Sequence, residues 1–190
     1  MQVNRCGWVS DDPLYQQYHD EVWGRPVYDP QQLFAKLCLD GQQAGLSWIT
    51  ILKKQANYEA LFANFEPSII ATFDEEKVEA LMLEPGIVRN RLKINSIIRN
   101  AKAYLAFVEQ GNDFADFLWS FVGGIPKVNH LASLADVPAQ TLESEAMSKA
   151  LKKLGFNFVG PTICYAFMQA VGMVNDHTTD CFCYSTNRNL

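Results

Sequence analysis

Two pairs of residues, one near each end of the chain, have the types and spacing of metal ligands. Cys6 and His19 form a Cys-x12-His pair, and His177 and Cys181 form a His-x3-Cys pair. One thiolate and one imidazole from each pair would complete a closed tetrahedral Cys2His2 site for a single Zn²⁺. The chain has 3 histidines, and two of them stand in these pairs. A shared ion would tie the start of the chain to its end. The residues between must then form one compact unit whose ends meet. With four protein ligands and no open position, such a zinc is structural and activates no water. Other readings stay open. A lone cysteine is most often a small buried hydrophobe, and a lone histidine is often a hydrogen-bonded core or surface residue. Cys183 competes with Cys181. At i and i+4, His177 and Cys181 would share a helix face, whereas Cys183 needs an extended turn, so Cys181 is preferred.

A second group of residues could hold a flat ring. Trp8, Tyr15, Tyr18 and Trp23 crowd the N-terminal segment, and Asp40-Gly-Gln-Gln-Ala-Gly-Leu-Ser-Trp48 follows. Aromatic faces supply stacking, and a carboxylate accepts from ring or exocyclic N–H groups, which together suit a purine or pyrimidine. A cationic ring gains further from the π-faces. The plainer alternative makes Trp8, Trp23 and Trp48 core residues and Asp40 a turn or cap residue.

The string Leu151-Lys152-Lys153-Leu154-Gly155-Phe156-Asn157-Phe158-Val159-Gly160-Pro161-Thr162 reads as helix, glycine-bounded turn, helix. Glycines permit positive φ and close backbone approach. The second helix would present free N–H groups and its positive dipole end at Gly160 to Thr162, a site suited to a phosphate. Lys149, Lys152 and Lys153 can add positive charge, or simply form a solvated helix face. Arg89, Arg91, Lys93, Arg99 and Lys102 make a second basic run, read as solvated surface.

The elements that must position these groups read as helix after helix. Segments 13–23, 30–44, 47–62, 74–84, 90–108, 113–122, 143–154 and 161–171 carry helical spacing or caps, and glycines or prolines close most of them. No segment sustains a period of two, so the expected class is all-α. With 190 residues, 48% apolar and 12% aromatic, one soluble globular unit spanning 1–190 is expected. No apolar run reaches the ~18 residues of a membrane span, and no signal peptide opens the chain. Five cysteines, an odd number without a dense framework, point to a reducing compartment, the cytoplasm. The net charge of −5 means that any nucleic-acid contact must use a local basic patch.

Five strings, in order along the chain, closely resemble the bacterial 3-methyladenine DNA glycosylase I family: Cys6-Gly-Trp-Val-Ser, Asp12-Pro-Leu-Tyr-x-x-Tyr-His-Asp20, Gly41-Gln-Gln-Ala-Gly-Leu-Ser-Trp-Ile-Thr50, Gly155-Phe-x-Phe-Val-Gly160 and Val174-Asn-Asp-His177. The likeness implies a helix-hairpin-helix glycosylase fold, with the hairpin at about 143–172 and zinc-linked terminal segments at about 1–24 and 173–190. It matches Cys6, His19, His177 and Cys181 to structural zinc ligands. It matches Trp8, Tyr18, Asp40 and Trp48 to the base pocket, with Asp40 the catalytic carboxylate. The hairpin residues Gly155, Phe156, Val159, Gly160 and Thr162 become the DNA contacts. Its implied partners are alkylated double-stranded DNA and free 3-methyladenine as product, acted on by a monomer without a membrane.

The chain departs from the family pattern at Asp40, where the family carries glutamate. The shorter arm closes the pocket, admits a bridging water or weakens recognition. Val22 also stands where the pattern is more polar, while Trp23-Gly24 is kept. Many helix-hairpin-helix glycosylases place a water-activating aspartate about twenty residues beyond the hairpin. Asp180 lies near that distance but reads as a loop residue, and Asp176 as a partner of His177. Thr162 occupies the region where bifunctional relatives carry a nucleophilic lysine, so a monofunctional hydrolase is expected. The competing readings are a zinc-stapled DNA-binding module without catalysis and a glycosylase of shifted lesion preference.

Overall fold

Helix starts are written locally. The computed structural model describes residues 3–186, so the expected terminal segments extend beyond it at both ends. α1 (Pro13–Glu21) and α2 (Pro30–Gln42) each begin with proline behind an aspartate cap. Asp12 accepts from the Leu14 N–H and Asp29 from the Gln32 N–H. α6 (Glu75–Met82), α7 (Arg91–Glu109) and α8 (Phe114–Trp119) are capped likewise by Asp74, Asn90 and Asp113. A capping box of Thr141 and Ser144 opens α9 (Leu142–Lys153). α10 (Pro161–Ala170) starts at Gly160 with no side-chain cap.

Three details differ from the sequence reading. The single helix expected over 47–62 is two, α3 (Trp48–Leu52) and α4 (Gln55–Leu61). A tight bond from the Lys54 N–H to the Ile51 carbonyl, 2.9 Å, breaks the helical register between them. Short α5 (Pro67–Ile70) and α11 (Cys183–Thr186) were not expected. A parallel pair, β1 (Lys127–Val128) with β2 (Val174–Asn175), joins distant segments. Each strand has two residues, too few for a period of two to show. The architecture is mostly helical.

α2 crosses the middle of the molecule, packed against α7, α8 and α10. Leu33, Phe34 and Leu37 of α2 are fully buried among Ile51, Tyr58, Phe62, Ile94, Ile97, Met147, Leu151 and Phe167. A smaller cluster of Cys6, Tyr18, Trp23, Ala170, Cys181 and Cys183 adjoins this core, and Trp48 packs against both.

The two terminal regions meet there. The Phe182 N–H donates to the Asn4 carbonyl at 2.9 Å, and the Asn4 amide donates to the Asp180 carboxylate at 2.7 Å. The residues after α1 dock on the end of α10, Gly24 N–H to Ala170 O and Val27 N–H to Val171 O. Gly172, at φ 75°, makes this approach possible. A Cβ there would lie 2.5 Å from the Pro26 nitrogen.

Candidate base pocket and thiol–imidazole cluster

Asp40 sits in the last turn of α2, 2% exposed. A carboxylate is doubly disfavoured there, by burial and by the negative end of the helix dipole. Two lysines answer it. The Lys93 ammonium, reaching in from α7, donates to the Gln42 and Ala44 carbonyls at 2.8 and 2.6 Å and so caps the helix end. Gln42 locks the same turn, donating to the Lys93 carbonyl and accepting from the Tyr58 hydroxyl. The Lys36 ammonium, one turn before Asp40, lies 2.8 Å from Asp40 Oδ1. It also sits 3.3 Å from the centroid of the Trp48 ring and 5.6 Å from that of Tyr18. Burial pushes the Asp40 carboxyl up and pulls the Lys36 ammonium down, and the ion pair between them opposes both shifts. Burial also pushes the Tyr18 phenol up, reinforced by the neighbouring Asp40 charge. Asp40 Oδ2 is buried without a hydrogen-bond partner.

These groups line a cavity of about 220 Å³. Trp8, Tyr15, Tyr18 and Trp23 come from the N-terminal segment, Lys36, Asp40 and Trp48 from the α2–α3 region, and Gln169, Asp176 and Thr178 from the C-terminal third. The rings brace one another: Trp8 lies 5.0 Å from both Tyr15 and Trp23, and Tyr18 lies 5.5 Å from Trp48. Trp8, Tyr18, Asp40 and Trp48, the four residues expected to form a base pocket, all line this cavity. The sequence reading did not include Lys36, whose signal was the i, i+4 spacing from Asp40. Asp176 has several partners of its own. It is buried in the pocket wall, accepting from Asn129 at 2.7 Å, from Gln169 at 2.9 Å and from the Tyr165 hydroxyl. Asp180 is exposed and engaged with Asn4.

A second group of donors lies behind Trp8 and Trp23. One ligand atom from each of His19, His177, Cys181 and Cys183 falls within 4.8 Å of the others, and all four residues are buried. The His19 Nε2 to Cys181 Sγ distance is 3.5 Å. Tetrahedral bonding at Zn–N and Zn–S lengths puts such atoms ~3.6 Å apart, so the donors fit this ion. Cys6 is not in that set of four. It is buried, and its Sγ accepts from the Thr178 hydroxyl at 3.9 Å. Hydrogen bonds from Cys183 and Cys6 hold the Cys181 thiol far below its ordinary range, while both donors are pushed up. Burial lowers His177 to about 4, which keeps its imidazole neutral, as a metal ligand must be. Asp20 accepts from His19 Nδ1 at 2.8 Å and is gripped in turn by the Arg5 guanidinium. This carboxylate orients the imidazole so that Nε2 faces the thiols.

The α9–α10 turn lies against α2. Gly155 has φ 100°. The second positive φ, 55°, falls on Phe158, whereas Gly160 is extended. Asn100 of α7 ties the turn through both main-chain groups of Asn157, at 2.8 and 3.3 Å. Gly41 lets the turn approach, since a Cβ there would lie 3.1 Å from the Phe158 carbonyl oxygen. Space around Gly160 is open, and Thr162 is exposed. Phe156 and Val159, expected at the DNA surface, are 3% and 1% exposed and serve the core, because the turn needs an apolar underside. Lys149, Lys152 and Lys153 are exposed. Lys93 leaves the second basic run for the interior, and Arg91 is paired with Glu75 and Glu79.

Comparison with known proteins shows the family. A family model for methyladenine glycosylases matches residues 8–184. DNA-3-methyladenine glycosylase 1 of Escherichia coli is 55% identical over 98% of this chain and 100% of its own. DNA-3-methyladenine glycosylase of Haemophilus influenzae is 51% identical over 95% of this chain and 98% of its own. A crystal structure of 3-methyladenine DNA glycosylase I superposes with a TM-score of 0.94 at 57% identity, covering 95% of this chain and 100% of that one. The Staphylococcus aureus 3-methyladenine DNA glycosylase I, solved to explain recognition of 3-methyladenine, gives 0.91 at 41% identity over 95% of this chain and 96% of its own. With the family model covering nearly the full length and relatives above half identity, this chain belongs to the methyladenine glycosylase family.

Proposed function

We propose that this protein removes 3-methyladenine from alkylated DNA by hydrolysing the N-glycosidic bond, the first step of base-excision repair. The observation that carries the reading is the aromatic-walled cavity with the buried Asp40 carboxylate in its wall, a base-sized site that a pure DNA-binding module has no use for. Methylation at N3 gives adenine a positive charge that is lost as the base departs. The bond is therefore already weak, and the protein's work is to extract, hold and orient the base. Trp48 and Trp8 supply ring faces. Asp40 accepts from the adenine amino edge, and the low-polarity walls keep that charge-assisted bond strong. Asp176 already accepts from three donors and Asp180 is exposed, which supports hydrolysis without a dedicated aspartate base, while Thr162 in place of a nucleophilic lysine supports a monofunctional enzyme.

The α9–α10 element serves as a helix-hairpin-helix. The main-chain N–H groups at Gly160 to Thr162 meet a DNA phosphate, with Gly155 shaping the turn. One structural zinc is held by His19, His177, Cys181 and a fourth thiol, Cys6 or Cys183. When bound, it supplies cross-linking, not chemistry. The protein acts as a soluble monomer in the cytoplasm. Among the described residues no helix is long and apolar enough to cross a membrane.

The decisive experiment is single-turnover release of 3-methyladenine from methylated DNA. Release by the wild-type protein, with Asp40→Ala far slower, is the expected result. DNA binding without release would leave the non-catalytic module. Release of other alkylated bases in preference would favour a shifted lesion range. Metal analysis of Cys6→Ser and Cys183→Ser decides the fourth ligand: the variant that loses zinc names it.

A further inference from the structure

Lys36 stands where a cationic base would have to stack. Its ammonium is 3.3 Å from the Trp48 ring centroid, a separation at which no second ring fits on that face. It is at the same time 2.8 Å from Asp40 Oδ1, the countercharge that a base cation would seek. Both attractions that select a positively charged purine, the π-face and the carboxylate, are thus satisfied by a residue of the chain itself. The Lys36–Asp40 pair is neutral as a unit, and the other carboxylate of the wall, Asp176, is already engaged by Asn129, Tyr165 and Gln169. Asp40 Oδ2, the one oxygen left without a partner, faces no competing donor.

We propose that Lys36 is a specificity-determining residue: its ammonium occupies the cation position between Asp40 and Trp48, and a positively charged base binds only by displacing it. The proposal rests on the reading of this cavity as the base pocket. The lysine is tethered through a flexible stem to the helix that carries Asp40, so it competes at high effective concentration and lowers the apparent affinity of any cation. A neutral base meets the same steric obstacle but has no claim on the carboxylate's charge. Selection by charge is therefore weakened and selection by shape retained.

The test compares two small ligands by calorimetry on wild type, Lys36→Met and Lys36→Gln. One is 3,9-dimethyladeninium, in which a methyl group replaces the sugar and the positive charge is permanent. The other is 3-methyladenine, compared at a near-neutral pH where this free base is uncharged and the Lys36 ammonium keeps its proton. Loss of the lysine charge is expected to tighten the cation about tenfold or more and the neutral base by at most about threefold. Lys36→Gln, which keeps a hydrogen bond to Asp40 and protects folding, should show the same preference. Equal tightening of both ligands would reduce Lys36 to a steric plug and overturn the charge argument. No tightening, or weakening of both in variants with native circular dichroism, would overturn the proposal outright. If wild type neither binds these ligands nor releases 3-methyladenine from DNA, the base-pocket reading falls with it. Release from DNA with unchanged ligand affinities in the variants overturns the role of Lys36 alone.

Discussion

At Asp40 a carboxylate is buried at a helix C-terminus, an environment that resists its charge. In the proposed function it is the charged acceptor that a cationic base needs. Asp40→Asn preserves shape and removes charge, so single-turnover excision should fall about 10- to 100-fold, the worth of one hydrogen bond to a charged group. Burial raises the Asp40 carboxyl, and Lys36, Tyr18 and the Cys164 thiol are titratable groups near it. The proton therefore stays on to a higher pH than in free aspartate, and the ionised form is lost earlier on acidification. The acid limb of excision should lie above the ordinary ~3.9. A pH profile checks this, and Asp40→Asn should flatten the limb. Asp40 was legible in the sequence through the specific string that follows it. Lys36 was not, because a lysine among Leu33, Phe34 and Leu37 has the pattern of a solvated flank. Only the folded positions of Trp48 and Tyr18 draw it inward.

At the level of elements, most helices could be read from caps and prolines, since those signals act within one turn. What escaped depends on distant partners. Lys93 looked like part of a basic surface run, yet it crosses from α7 to close the end of α2. Lys93→Met leaves the Gln42 and Ala44 carbonyls without their donor, and should cost about 2–4 kcal/mol in urea unfolding. The break between α3 and α4 was equally invisible, being a tight turn with neither proline nor glycine. The hairpin was recognised as a string, but its underside was misassigned, because local sequence does not say which face of a turn is roofed by α2 and α7. Gly160 separates binding from folding. It is extended, surrounded by open space and uncapped, so Gly160→Asp installs a favourable N-cap beside the expected phosphate. Thermal stability should hold within about 0.5 kcal/mol, while DNA affinity falls about tenfold through charge repulsion. Unchanged affinity in a titration at fixed salt would remove the α10 N-terminus from the DNA interface.

For the molecule as a whole, the expectation that the ends meet came from four metal-type residues, and the main-chain bond between Asn4 and Phe182 agrees with it. The sequence did not reveal how closely the region after α1 presses on the end of α10. Gly172→Ala places a methyl against the Pro26 backbone at positive φ, so it should destabilise by about 2–4 kcal/mol in thermal unfolding. Hydrogen exchange should then rise first in segments 4–27 and 174–182. The same long-range construction has a consequence for synthesis. The pocket takes walls from residues 8–48 and again from residues 166–178, so it does not exist on a nascent chain whose last third is still inside the ribosome. Translation interrupted before Ala166 yields a polypeptide without a complete cavity, so under the proposed function base excision waits for the segment from Ala166 to Thr178.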